Sequence, residues 1–159
     1  MEYKYFLVDI KDQVATVSIN RPEKANSFHM PAWKEMKKIF EDLDQDENAR
    51  VVILKGEGKN FSAGMDLQTL MNLGEFQNIS GEARKREALR GFIVTLQECI
   101  NAIEECRKPV IAAVHGACVG GAINIATACD MRFSCSDSFF TIKEIDLGLV
   151  ADMGVLQRL

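Results

Sequence analysis

The sequence is short of metal ligands and of paired thiols. It holds two histidines and five cysteines, Cys99, Cys106, Cys118, Cys129 and Cys135, an odd number with no C-x-x-C pair. Neither a disulfide framework nor a zinc site is expected from that set, and no metal is. A basic excess is missing too: the net charge of −4 and an isoelectric point near 5.3 argue against nucleic acid as the main partner. No apolar run approaches the roughly 20 residues that cross a bilayer, and Met1-Glu-Tyr-Lys-Tyr5 has no basic region followed by an apolar core. These absences predict a cytoplasmic protein with no membrane partner. Internal repeats and low-complexity segments are also lacking. With 47% hydrophobic residues over 159 positions, one core and one domain over residues 1–159 are expected.

What is present is an alternation of strand and helix signals. Tyr5 to Asp9 and Val14 to Asn20 read as two strands joined by the polar Lys11-Asp-Gln13 turn. Ser27 and Pro31 suit a helix start, and Trp33, Met36, Lys37, Phe40 and Leu43 follow helical spacing into the acidic stretch Glu41 to Glu47, a solvated face. A strand follows from Arg50. Leu89, Phe92, Ile93, Leu96, Ile100 and Ile103 predict a long amphipathic helix that ends before Lys108-Pro109. Leu67 to Ala88 is the least patterned part.

Two strand–glycine–helix junctions carry the chemistry. Val110 to Val114 is a short apolar run bounded by Pro109 and Gly116, and Gly120-Gly121 then opens an Ala-rich helix. Val51 to Leu54, Gly64 and Asp66 repeat the arrangement, with Asp66 suited to cap the next helix. Each junction aims backbone N–H groups and the positive end of a helix dipole at one spot, which suits an oxyanion. Taken singly, either would be an ordinary turn.

Together with Asn20-Arg-Pro-Glu-Lys-Ala-Asn26, Phe61-Ser-Ala-Gly-Met-Asp66, Lys108-Pro-Val-Ile-Ala-Ala-Val-His-Gly116, Gly120-Gly121 and Ala128-Cys-Asp-Met-Arg132, in that order, the chain resembles the enoyl-CoA hydratase/isomerase, or crotonase, superfamily. The resemblance covers nearly the whole chain. It implies an α/β fold of the crotonase-like (ClpP/crotonase) type, a spiral of ββα units, with an oxyanion hole made by the backbone N–H groups of Met65 and Gly121. Removing a proton alpha to a thioester places negative charge on its oxygen, and each preorganised donor there is typically worth about 3 kcal/mol.

The same resemblance identifies the proton carriers. Glu144 matches the glutamate that hydratases and several isomerases of the family use. Asp152 stands where the hydratase branch usually has glycine, and the two acids together resemble the branch that shifts 3,5-dienoyl-CoA to 2,4-dienoyl-CoA. Asn124 occupies the position of the second hydratase glutamate, where dienoyl isomerases carry aspartate. An amide cannot shuttle a proton, so hydratase activity is expected to be weak, but it could donate a hydrogen bond to Glu144. Two alternatives stay open: an enoyl-CoA delta-isomerase using Glu144 alone or a hydratase on the same fold, and a non-catalytic acyl-CoA-binding subunit.

For substrate binding the resemblance points to backbone near the Arg21–Asn26 turn for adenine and to Arg21 and Lys24 for phosphates, with Ala25, Ala63, Asp66 and Gly120 as further contacts. The partner is an acyl-CoA thioester, with coenzyme A part of the substrate and no separate cofactor. Met65, Leu70, Met71, Leu73 and Phe76 could line an apolar tunnel, or simply pack helices. Cys118 and His115 read as packed side chains, not as catalysts. Family members continue for about another hundred residues past Leu159, well within one domain's span. The expectation is thus a fragment lacking the C-terminal helical part, and a homotrimer or hexamer when full length.

Overall fold

The computed structural model describes residues 3–159, apart from the side chains of Leu73 and Glu75. Strand β1 (Phe6–Lys11) turns through Asp12 and Gln13, both in the left-handed region (φ 50° and 65°), into antiparallel β2 (Val14–Ile19). A two-residue turn of that hand matches the strand twist. Helix α1 (Met30–Gln45) follows, then β3 (Val51–Gly56), α2 (Leu67–Asn72), a 3-10 turn (Leu73–Asn78) and α3 (Glu82–Glu104). Next come β4 (Val110–Val114), β5 (Ala117–Val119), α4 (Gly121–Ala128), β6 (Met131–Ser134) and β7 (Phe139–Thr141).

The main sheet runs β1-β2-β3-β4-β6 and is parallel from β2 onward, while β5 and β7 form a second, parallel pair. The last two circuits of the chain, β4 with β5 and β6 with β7, add one strand to each sheet, whereas β1 and β2 both lie in the main sheet and β3 is followed directly by helix, so the ββα spiral that the resemblance implies is complete only in the second half. The register explains the core. Ala15 and Val17 of β2 lie opposite Val52 and Leu54 of β3, and these face Val110 and Ala112 of β4, so one buried row crosses the sheet. Trp33, Met36, Ile39 and Phe40 of α1 and Leu96, Ile100 and Ile103 of α3 join the same core. α3 packs most closely on α1 and α4.

Two element boundaries differ from the sequence reading. α1 starts at Met30 with His29 at its cap and Pro31 in its first turn, and Ser27 lies outside it, its hydroxyl turned to Asp66. α3 begins at Glu82, two turns before the apolar periodicity does. Glu82–Lys85 and Glu87–Arg90 ion pairs at i,i+3 support those turns.

Candidate active site

The loop from Phe61 to Asp66 is held from beneath by a buried polar chain. Asn26, fully buried and left-handed at φ 55°, donates from Nδ2 to the carbonyls of Glu57 and Asn60 and accepts the Arg21 N–H on Oδ1. Its own carbonyl accepts from the Ser62 hydroxyl, which in turn accepts the Gly64 N–H at 3.0 Å. Gly64 sits at φ +79°. A Cβ there would stand 2.3 Å from the Val119 carbonyl oxygen and 2.9 Å from the Gly121 nitrogen. The absent side chain is therefore what lets the two glycine junctions touch.

At that contact Met65 N lies 3.5 Å from where a Gly121 Cβ would be, and the Trp33 ring closes the same position from behind at 3.4 Å. Among the described residues, neither the Met65 nor the Gly121 N–H donates to a backbone acceptor. Two N–H groups unused by the backbone thus lie close together at the start of α4.

Glu144 stands beside them. The 3-10 turn Lys143–Leu147 carries it, and its carboxylate oxygens lie 3.6 and 3.7 Å from the position of a Gly120 Cβ. Oε2 is buried with no hydrogen-bond partner among the described residues. An acceptor left open in that way can take a hydrogen bond from a ligand or water. Asp152, an exposed residue, lies on the same cavity wall, and partial desolvation of its carboxyl raises its pKa above the ordinary carboxylate value.

Asn124 is placed differently from the expectation. It is buried, but its Oδ1 accepts the Val155 N–H at 2.9 Å and its Nδ2 has no partner, so it makes no hydrogen bond to Glu144. It does not line the cavity. Its contact is with the backbone just after Asp152, and it joins Gln97, whose Nε2 donates to the Asp152 carbonyl at 2.6 Å. Arg158 completes the anchorage, reaching the Gly154 carbonyl and Asn101.

Arg21, expected to meet phosphates, is instead turned into the protein. Its guanidinium donates to the Ser27 carbonyl and pairs with Asp66 at 3.3 Å, with 13% and 18% of the two side chains exposed. Asp66 caps α2 as anticipated, its Oδ1 accepting the Gln68 N–H at 3.0 Å. Desolvation alone would raise the Asp66 pKa, but the Gln68 N–H, Arg21 and Ser27 outweigh it and hold the carboxyl below its usual value. A depressed folded-state pKa contributes stability that is present above the unfolded value, about 4, and is lost as pH falls through the folded one. Asp66→Asn is accordingly expected to lower unfolding free energy by about 1–3 kcal/mol at neutral pH, with the difference from wild type shrinking on acidification. Urea midpoints at pH 7 and pH 3.5 measure both.

One cavity of about 540 Å³ joins these groups. Of the residues singled out in the sequence, Ala63, Met65, Gly120, Gly121, Glu144 and Asp152 line it; Arg21, Lys24, Ala25 and Asp66 do not. Ala25 is nevertheless one hydrogen bond away, its carbonyl accepting the Ala63 N–H at 2.9 Å. Leu70 and Phe76 lie on the wall with Met65, whereas Met71 is 75% exposed and off it. The Leu73 side chain lies outside the described residues. Cys118 is fully buried, its thiol pushed up to about 12 by desolvation, and His115 Nε2 is hydrogen-bonded to the Gly58 carbonyl.

The sequence reading missed the supports. Ser62 and Gln97 act through contacts 36 and 55 residues away in the chain, which no local pattern reports. Asn26 did carry a signal, as an asparagine closing a proline turn where left-handed backbone is tolerated.

A family model described as enoyl-CoA hydratase/isomerase matches residues 9–159. The peroxisomal Delta(3,5)-Delta(2,4)-dienoyl-CoA isomerase of Arabidopsis thaliana is 49% identical over 143 residues, covering 89% of this chain and 51% of that protein. An enoyl-CoA hydratase structure from Shewanella pealeana superposes with a TM-score of 0.85 at 25% identity, over 98% of this chain and 55% of that one. A Thermobifida fusca protein assigned as an enoyl-CoA hydratase, in complex with acetoacetyl-CoA, gives a TM-score of 0.80 at 28% identity, over 97% and 60%. The chain thus spans about half the length of the curated relatives it matches.

Proposed function

The chain belongs to the enoyl-CoA hydratase/isomerase family, and from that premise we propose that it is the catalytic core of an acyl-CoA isomerase converting 3,5-dienoyl-CoA to 2,4-dienoyl-CoA. The observation that carries this reading is the presence of Glu144 and Asp152 on the wall of one cavity, with the Met65 and Gly121 N–H groups between the loops that form it. Relatives named for this reaction, 36–49% identical, support it.

The thioester oxygen accepts the two N–H groups. One carboxylate removes a proton from C2, the electron pair spreads over the oxygen and the diene, and the other carboxyl group returns a proton at C6. The double bonds then stand at C2 and C4, and no atom is gained or lost. Two carriers are needed because C2 and C6 are four bonds apart, about 5 Å at the 3.8 Å per three bonds of an extended chain. The hydratase alternative is weakened by Asn124, which is committed to Val155 and can neither give nor take a proton in water addition.

The test is an ultraviolet assay of the purified protein with 3,5-dienoyl-CoA and, separately, with 2-enoyl-CoA. Conversion to the conjugated 2,4-dienoyl product, with little hydration of the second substrate, is the expected result. Hydration faster than dienoyl conversion would overturn the proposal.

A further inference from the structure

We infer that Gln97 is a positioning residue for proton transfer, because it fixes the main chain of Asp152 from α3 and thereby the place of the Asp152 carboxyl on the cavity wall. This rests on the reading of Asp152 as a proton carrier.

The segment around Asp152 is held by side chains and not by a ladder. Among the described residues, 150–154 make no backbone–backbone hydrogen bond of normal geometry. Gln97 Nε2 donates to the Asp152 carbonyl at 2.6 Å, the Arg158 guanidinium donates to the Gly154 carbonyl at 3.2 Å, and the Val155 N–H donates to Asn124 Oδ1 at 2.9 Å. Gln97, Asn101 and Glu104 stand at i, i+4 and i+7, one face of α3, and Arg158 bonds to the second and third of them. Ala151, Met153 and Val155 are buried, whereas Asp152 among them is exposed. The segment is thus seated in the protein on both sides of Asp152, and Gln97 is the side chain that grips the residue itself.

A grip on the carbonyl reaches the carboxyl because the peptide unit is planar. With the Asp152 carbonyl fixed by Gln97, its Cα is fixed too, and only χ1 and χ2 separate that atom from the reacting oxygens. Those oxygens are otherwise unclaimed. Among the described residues no other side chain bonds to them, and the Asp152 N–H alone favours their charge against the desolvation that opposes it. The charged groups on the same cavity are Glu144 and Lys143 of the 3-10 turn and Glu82, Lys85 and Arg86 of α3. Lys143 is paired with Asp146, and Lys85 with Glu82. A neutral amide acting on the backbone places the acid without pairing its charge, whereas a cation against the carboxylate would hold it ionised and hinder its return of a proton. Gln97 itself is off the cavity wall, so its effect passes through Asp152 and not through contact with substrate.

The experiment compares wild type, Gln97→Met, Asp152→Asn and the double variant in steady-state turnover of 3,5-dienoyl-CoA from pH 4 to 9. Carbon-13 NMR titration of the Asp152 carboxyl, identified by its absence from Asp152→Asn, runs alongside. Methionine keeps the length and helix preference of glutamine and removes the donor. Gln97→Met is expected to lower kcat by about 10–100-fold with KM within about twofold. It should also move the acidic limb and the NMR titration of Asp152 down toward the ordinary carboxylate value, because a loosened segment lets water reach the carboxyl. In the Asp152→Asn background the same substitution should change the residual rate by less than about twofold. A fall in kcat of the same proportion in both backgrounds, or an unmoved titration beside a lower thermal midpoint, makes Gln97 a merely structural residue and overturns the inference. Wild type that does not turn over dienoyl-CoA, with an Asp152 titration still displaced by Gln97→Met, removes the isomerase reading and leaves the positioning of Asp152 standing; wild-type turnover that Gln97→Met leaves unchanged does the reverse.

Discussion

Asp152→Asn is expected to lower the rate of dienoyl conversion by about 10²–10⁴-fold, with acyl-CoA binding changed only a few-fold. The side chain keeps its shape and loses its proton, so a loss confined to kcat marks Asp152 as a proton carrier. A loss confined to KM would assign it to substrate contact instead. Stability should move the other way. The Asp152 pKa is raised by partial desolvation, so as pH climbs through the ordinary carboxylate range the unfolded chain ionises first and the folded state falls behind. The resulting cost is complete above the folded-state pKa. The amide has no such cost, and because Asp152 is an exposed residue the gain is small: the variant should melt no lower than wild type at pH 7 and equally at pH 3. The wild-type activity profile should carry an acidic limb displaced upward from that of an unperturbed aspartate, and Asp152→Asn should lose it. Initial rates from pH 4 to 9, with thermal midpoints at pH 3 and pH 7, separate a catalytic from a merely structural carboxylate.

How much of this site was legible beforehand depended on the range of the interactions. β4 was readable because Val110 to Val114 is an unbroken apolar run with Pro109 and Gly116 at its ends, and the two glycine junctions were readable because a turn residue and a helix start are adjacent in sequence. Glu144 and Asp152 came from ordered motifs, and both lie on the cavity. Long-range partnerships were opaque. Arg21 was expected at the CoA phosphates, yet Asp66, 45 residues later, draws it into the protein. Asn124 was expected beside Glu144, and it is Val155, 31 residues away, that takes its oxygen. The start of α3 was missed for a different reason. Its first two turns border a cavity and solvent instead of the core, so their sequence is charged and carries no apolar period.

That dependence on a distant contact makes Gly64 the most sensitive position in the Phe61–Asp66 loop. Gly64→Ala would place a methyl group 2.3 Å from the Val119 carbonyl and 2.9 Å from the Gly121 nitrogen, both backbone atoms that cannot rotate away. The φ of +79° is itself unfavourable for alanine by roughly 1–2 kcal/mol. The strain can be relieved only by separating the Phe61–Asp66 loop from the start of α4, and that separation moves the Met65 and Gly121 N–H groups apart. Loss of one aligned donor costs about 10²–10³ in kcat, and here both are disturbed. The expected outcome is a folded protein destabilised by about 2–4 kcal/mol, since overpacking and backbone strain add, with dienoyl turnover reduced at least 10²-fold. Gly91→Ala is the matched control: nothing lies within 4 Å of its added methyl, and its place inside α3 favours alanine by about 1 kcal/mol. Urea unfolding and single-turnover rates on the two variants test whether the close approach of the junctions forms the oxyanion hole. A Gly64→Ala protein that loses stability yet keeps its rate would show that charge on the substrate develops elsewhere.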